Sequence, residues 1–160
     1  MRSFSTICKM LSILTILFIV ASCKKSDPYQ PTTQELLQNK EWKLSSLTIN
    51  PALNGTTDYL NGTMQPCERD NTYFFANAFW SSFSLNEGTD VCDPAYSNYT
   101  GFWSFNSDTN VMSFYYGTSS TNITFFNMTV EGVSENVFTG KTTDTITGNI
   151  YAKTWAFIRN

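Results

Sequence analysis

From Glu41 onward the chain alternates apolar and polar residues in short runs, and clusters of Asn, Asp, Ser and Gly punctuate the runs at close intervals. Alternation with a period of two marks strands that bury one face. It predicts strands over 41–49, 72–77, 79–87, 100–106, 110–116, 121–131, 135–142 and 148–159. The one helical signal is a turn or two at Glu35-Leu36-Leu37-Gln38-Asn39, which Thr32 or Thr33 can cap. Strands in this order, joined by tight links, describe an antiparallel meander. Asn106-Ser107-Asp108-Thr109-Asn110 and Glu131-Gly132-Val133-Ser134-Glu135 suit hairpins, the second with a glycine available for a positive φ. Residues 50–70 read as a long loop carrying Gly55, Gly62 and Pro66.

Alternation also says which side chains face inward. Phe83 shares a face with Leu85, Trp103 and Phe105 with Gly101, Phe114 with Met112 and Tyr116, and Phe126 with Met128 and Val130. In the last strand Tyr151, Lys153, Trp155, Phe157 and Arg159 lie on one face. The first strand changes phase, with Trp42 and Leu44 on one face and Leu47 and Ile49 on the other, which implies a bulge or sharp bend. The expected fold is all-β: an eight-stranded antiparallel up-and-down barrel behind a short helical turn, although a ten-stranded barrel or a sandwich would alternate similarly. Closure pairs the last strand with the first and brings Trp42 near Phe157 and Arg159, with Arg159 over the Trp42 ring at the closed end. Phe83, Leu85, Trp103, Phe105, Phe114, Phe126, Met128 and Trp155 then either line a ligand cavity or fill the barrel.

The first 22 residues form a separate unit: Arg2 and Lys9 precede an apolar run from Met10 to Val20. As a helix that run is only about 16 Å long, half a bilayer's hydrocarbon thickness, which fits an export signal better than a spanning helix. It ends in Val20-Ala21-Ser22-Cys23, which resembles the bacterial lipobox and implies acylation of Cys23. Residues 23–34 read as a tether with two prolines, reaching about 35 Å when extended, and 35–160 as the folded domain. Lys24 rather than aspartate follows the cysteine, so the outer membrane is the expected location, on either leaflet.

Ten Lys and Arg face thirteen Asp and Glu, for a net charge of −3, and there is no histidine. The lack of histidine removes Ser-His-Asp and Cys-His catalysis, His-ligated zinc and a histidine pH switch. The scarcity of cations argues against nucleic acid. Cys8 leaves with the signal and Cys23 takes lipid, so Cys67 and Cys92 remain, and in an oxidising compartment two such cysteines most simply form a disulfide. Asn106-x-Asp108-x-Asn110 has calcium-loop spacing but lacks the closing glutamate. Asp58, Glu68, Asp70, Glu87, Asp90 and Asp93 are scattered, and no feature aims two of them at one cleft as a glycosidase requires. No enzyme activity, cofactor or metal is expected.

Several of these features together resemble the lipocalin-like domain of small lipoproteins from Bacteroidota. They are the lipobox cysteine, Leu37-Gln38-Asn39-Lys40-Glu41-Trp42-Lys43-Leu44, Pro66-Cys67-Glu68-Arg69-Asp70, Cys92-Asp93-Pro94 and Gly101-Phe102-Trp103-Ser104-Phe105. True lipocalins have Gly-x-Trp in the first strand; here Lys40 stands in place of the glycine. The resemblance implies an up-and-down barrel on a lipid anchor that carries a small apolar ligand. The leading expectation is thus a monomeric, non-enzymatic envelope lipoprotein with a small-molecule site. The alternative is a solid-core module that contacts a protein or glycan through its 50–71 loop.

Overall fold

A computed structural model describes residues 28–77, 81–92, 98–119 and 122–160. The export signal, Cys23 and the first part of the tether lie outside the described residues, as do Phe79, Trp80, Asp93 and Pro94.

Strand β1, Glu41–Leu53, carries the phase change at its centre. Its register with the last strand, Asn149–Arg159, slips between Leu44, opposite Phe157, and Ser46, opposite Ala156. Ser45 is the extra residue of a bulge, and its hydroxyl donates to the Ala156 carbonyl at 3.0 Å. The bulge turns Trp42, Leu44, Leu47 and Ile49 to the same side, and all four are buried. Beyond β1 come β2 (Thr56–Asp58), β3 (Thr72–Phe75), β4 (Ser82–Asn86), β5 (Asn98–Asn106), β6 (Val111–Ser119), β7 (Asn122–Val133), β8 (Val137–Ile146) and β9 (Asn149–Arg159). Each strand from β3 to β9 pairs antiparallel with the next, and β9 pairs with β1 from Arg159 opposite Trp42 to Ala152 opposite Asn50. The result is the expected closed eight-stranded antiparallel barrel with β2 as one extra strand. The free edge of β1 is shared, with residues 41–43 pairing with β3 and residues 48–53 with β2.

Differences from expectation are local. The loop over 50–70 contains β2, a helix of one turn and a 3-10 turn. Asn54 and Gly55, at φ 52° and 82°, form the hairpin that starts β2, a dipeptide suited to that turn. Gly132 stays within β7 at a register slip, and the turn is made instead by Ser134, whose hydroxyl accepts the Val137 N–H at 3.2 Å.

The interior is built from rings. Phe75, Phe83, Phe114, Phe126, Trp155, Phe157 and Phe138 form a closed circuit of contacts, with successive centroids 4.3–6.5 Å apart. Phe75 also bridges the circuit, lying 5.8 Å from Phe114 and 5.3 Å from Trp103. These are favourable aromatic separations, and the rings occupy the barrel's cross-section at this level. Every indole among the described residues has a partner: Trp42 donates to the Leu37 carbonyl at 2.9 Å, Trp103 to Ala76 at 2.8 Å and Trp155 to the Thr142 hydroxyl at 2.9 Å.

Helix α1, Thr33–Leu37, seals the end where β1 begins. A reciprocal cap fixes its start: Glu35 accepts the Thr32 N–H at 2.7 Å, and the Thr32 hydroxyl accepts the Glu35 N–H at 3.3 Å. The helix delivers Leu37, fully buried, onto Trp42, whose ring also meets Phe138 edge-on at 4.8 Å. Arg159 lies opposite Trp42 in the ladder, as closure demands, but is exposed while Leu37 and Phe138 cover the indole. A cation sits over a ring elsewhere, with Lys153 Nζ 4.1 Å from the Tyr59 centroid.

Two glycines give a paired test of this packing. A Cβ on Gly101 would run into the Tyr115 backbone carbonyl, whereas one on Gly132 would meet only the Thr139 hydroxyl, at 3.6 Å. Gly101→Ala should cost about 1–3 kcal/mol and Gly132→Ala less than about 0.5 kcal/mol. Denaturant midpoints at unchanged slope check the difference.

Candidate functional site

The end of the barrel opposite α1 is organised by the long connection between β2 and β3. Asp58 caps helix α2, Tyr59–Gly62, accepting the Asn61 N–H at 3.1 Å, and α2 places Leu60 in the core. Arg69 gathers the following turn, donating from Nη2 to the Met64 carbonyl at 2.8 Å and the Asn61 carbonyl at 3.2 Å. Two ties then bind this connection to the segment after β4. Cys67 and Cys92 form the expected disulfide, and Asp70 Oδ2 accepts the N–H groups of Thr89 at 2.7 Å and Asp90 at 3.2 Å, and the Thr89 hydroxyl at 3.2 Å.

Beneath these ties opens a cavity of about 280 Å³, lined by Gln65, Glu68, Asn71, Leu85, Glu87, Cys92, Tyr99, Tyr116 and Thr124. Tyr116 is where the cavity meets the ring circuit, 5.4 Å from Phe83, and Tyr99 stands edge-on to it at 5.7 Å. Polar side chains make up much of the rest of the lining. Glu87 is only 5% exposed, and its Oε2 accepts the Cys92 N–H at 3.0 Å. Glu68 Oε2 accepts the Gln65 N–H at 3.2 Å. Asn71, also 5% exposed, has an Oδ1 with no hydrogen-bond partner.

Among the described residues no cation forms an ion pair with Glu68 or Glu87: the pairs are Lys40–Glu135, Lys141–Glu131 and Lys153–Asp144. The charge is felt by the phenols. Burial, then Glu68 and Tyr99, push Tyr116 above the ordinary phenol range, and burial, then Tyr116 and Glu68, do the same to Tyr73. Both phenols therefore stay protonated at neutral pH. The lining combines two carboxylates, amide and hydroxyl groups and aromatic surface.

The structure brings the eight residues expected in the interior into one region but gives them different tasks. Phe83, Leu85, Trp103, Phe114, Met128 and Trp155 are buried in the central cluster, and Phe105 and Phe126 pack against it. Of these, Leu85 reaches the cavity. The other cavity residues were not singled out from sequence as one site. Glu87 was the legible one, because Phe83, Leu85 and Glu87 share the inward phase, so a carboxylate points where alternation demands an apolar side chain. Asn106 serves its hairpin, accepting the Asp108 N–H at 2.9 Å and the Thr109 N–H at 3.1 Å. No family model matches the chain, and no curated protein is significantly similar to it.

The two ties can be tested separately. Replacing Cys67 and Cys92 by Ser frees a 25-residue separation and should cost about 3–4 kcal/mol in thermal or denaturant unfolding. For Asp70, burial alone would raise the carboxyl pKa, but the Asp90 and Thr89 N–H groups and the Thr89 hydroxyl outweigh it and hold it below 3.8. Its stabilising effect is complete above the unfolded value and lost as pH falls through the lower folded one. The Thr89 and Asp90 amide NMR signals should titrate together below pH 3.8; titration at or above it would break the assignment.

Proposed function

We propose that the protein is a non-enzymatic, lipid-anchored envelope protein that binds a small molecule at the disulfide-tied mouth of its barrel. The anchor reading draws support from the lipobox resemblance at Cys23, and the Cys67–Cys92 disulfide fits an exported protein. The binding reading rests on one observation: an open cavity of about 280 Å³ where Glu87, 5% exposed and in no ion pair among the described residues, lines the same space as Tyr99 and Tyr116. A pocket that joins aromatic surface to a few polar groups is the common form of a small-molecule site. The ring circuit fills the barrel below, so the ligand sits at the rim and is compact and partly polar, not a long apolar chain threaded through the centre.

A second reading has its own support. Phe102, Tyr115 and Phe125 form a solvent-facing row across adjacent strands, 51%, 39% and 64% exposed, which suits contact with a protein or glycan.

Native mass spectrometry of the protein extracted from its membrane decides between them. The first reading predicts a single small-molecule adduct that disappears in Thr124→Trp, which fills the cavity from β7, at unchanged melting temperature. A bare mass in both proteins, with crosslinks to a partner through the aromatic row, would replace it with the second. For the anchor, Cys23→Ser should release the protein from membranes on alkaline washing; retention would refute lipidation at that residue.

A further inference from the structure

Building on the mouth reading, we propose that the cavity selects a compact organic ammonium, with its charged nitrogen at Glu87 and Glu68 and its body against Tyr99 and Tyr116. Three features lead to this class. The first is the donor–acceptor balance. The Glu87 and Glu68 carboxylates that line the cavity only accept hydrogen bonds, so they ask for a donor. An ammonium has three donors and no acceptor.

The second is charge. Glu87 is 5% exposed and Glu68 half-buried, and neither is in an ion pair among the described residues. A buried carboxylate without a counter-charge is costly, and a bound cation relieves that cost. The nearest arginine in sequence, Arg69, is already committed to the Met64 and Asn61 carbonyls. An anionic ligand would meet two like charges here, and a neutral one would leave them uncompensated.

The third is the aromatic surface. Tyr99 and Tyr116, both in the lining, stand nearly perpendicular, at 70°, with centroids 5.7 Å apart, and supply aromatic surface to the cavity. Ring faces attract alkylammonium groups, and the Tyr116 phenol, its pKa raised by burial, carries no negative charge at neutral pH. A hard metal ion fits less well: it needs about six or more oxygens, and no group of three or more His, Cys, Asp or Glu positioned to hold a metal occurs among the described residues. The volume, about 280 Å³, lies at the small end for ligand sites, which limits the body to a single ring or a short chain.

The test compares ligands that differ only in charge. Tyramine, its neutral alcohol analogue tyrosol and its anionic analogue 4-hydroxyphenylacetate are titrated calorimetrically into the full chain, alongside phenethylamine. At least one of the two amines should bind, with tyramine at least about tenfold tighter than tyrosol and the acid not bound. Glu87→Gln keeps the size of the side chain and the acceptor for the Cys92 N–H. It and Glu68→Gln should each weaken amine binding by about tenfold while leaving tyrosol unchanged. Unchanged melting temperatures show that both variants fold. Equal affinity for tyramine and tyrosol, insensitivity to both Gln variants, or no binding by any amine overturns the ammonium assignment. In each of those cases the mouth itself is judged separately, by whether a neutral or anionic native adduct is still lost in Thr124→Trp.

Discussion

The ladder between the first and last strands, and the one-residue bulge inside it, is the constraint on which the rest depends. Without the extra residue at Ser45, Trp42 and Leu44 would face the core and Leu47 and Ile49 the solvent, because a period of two does not forgive a phase error. With it, β1 presents all four inward and offers its backbone to β9 along one edge and to β3 and β2 along the other. Closure removes exposed strand edges and creates an interior that must be filled.

What fills that interior determines where binding can occur. The circuit of seven rings, bridged by Phe75, consumes the middle of the barrel. One end is sealed by Leu37 against Trp42. The other is spanned by a connection held by a disulfide and by Asp70, and polar side chains gather there because the strands that carry them have run past the apolar layer. The chemistry of the mouth follows from the packing of the core.

Much of this was legible in the sequence. The eight barrel strands, the bulge, the β1–β9 closure and the Cys67–Cys92 bridge follow from alternation and cysteine arithmetic, since each is encoded by neighbouring residues or by simple elimination. The small elements between β1 and β3 were hidden because helices of one turn leave no periodicity, although Asn54-Gly55 carries a hairpin signal. Gly132 misled for a related reason: a glycine marks where a turn is possible, and hydrogen bonds between Ser134 and Val137 decided where it formed. The mouth was the least legible. Glu68 and Asn71, Tyr99, and Thr124 come from three separate segments and meet only because the barrel closes. Whether inward rings line a cavity or fill it depends on centroid distances that no pattern along the chain encodes.

The most direct test of the account is whether the barrel's centre is solid. Met112 and Met128 lie fully buried in it, and their methyl NMR signals report any gas-sized void nearby. Dry apolar cavities of about 150 Å³ take up xenon. Under xenon pressure these two signals should stay fixed; a saturable shift at either would reveal a hollow interior and return the ligand site to the centre of the barrel.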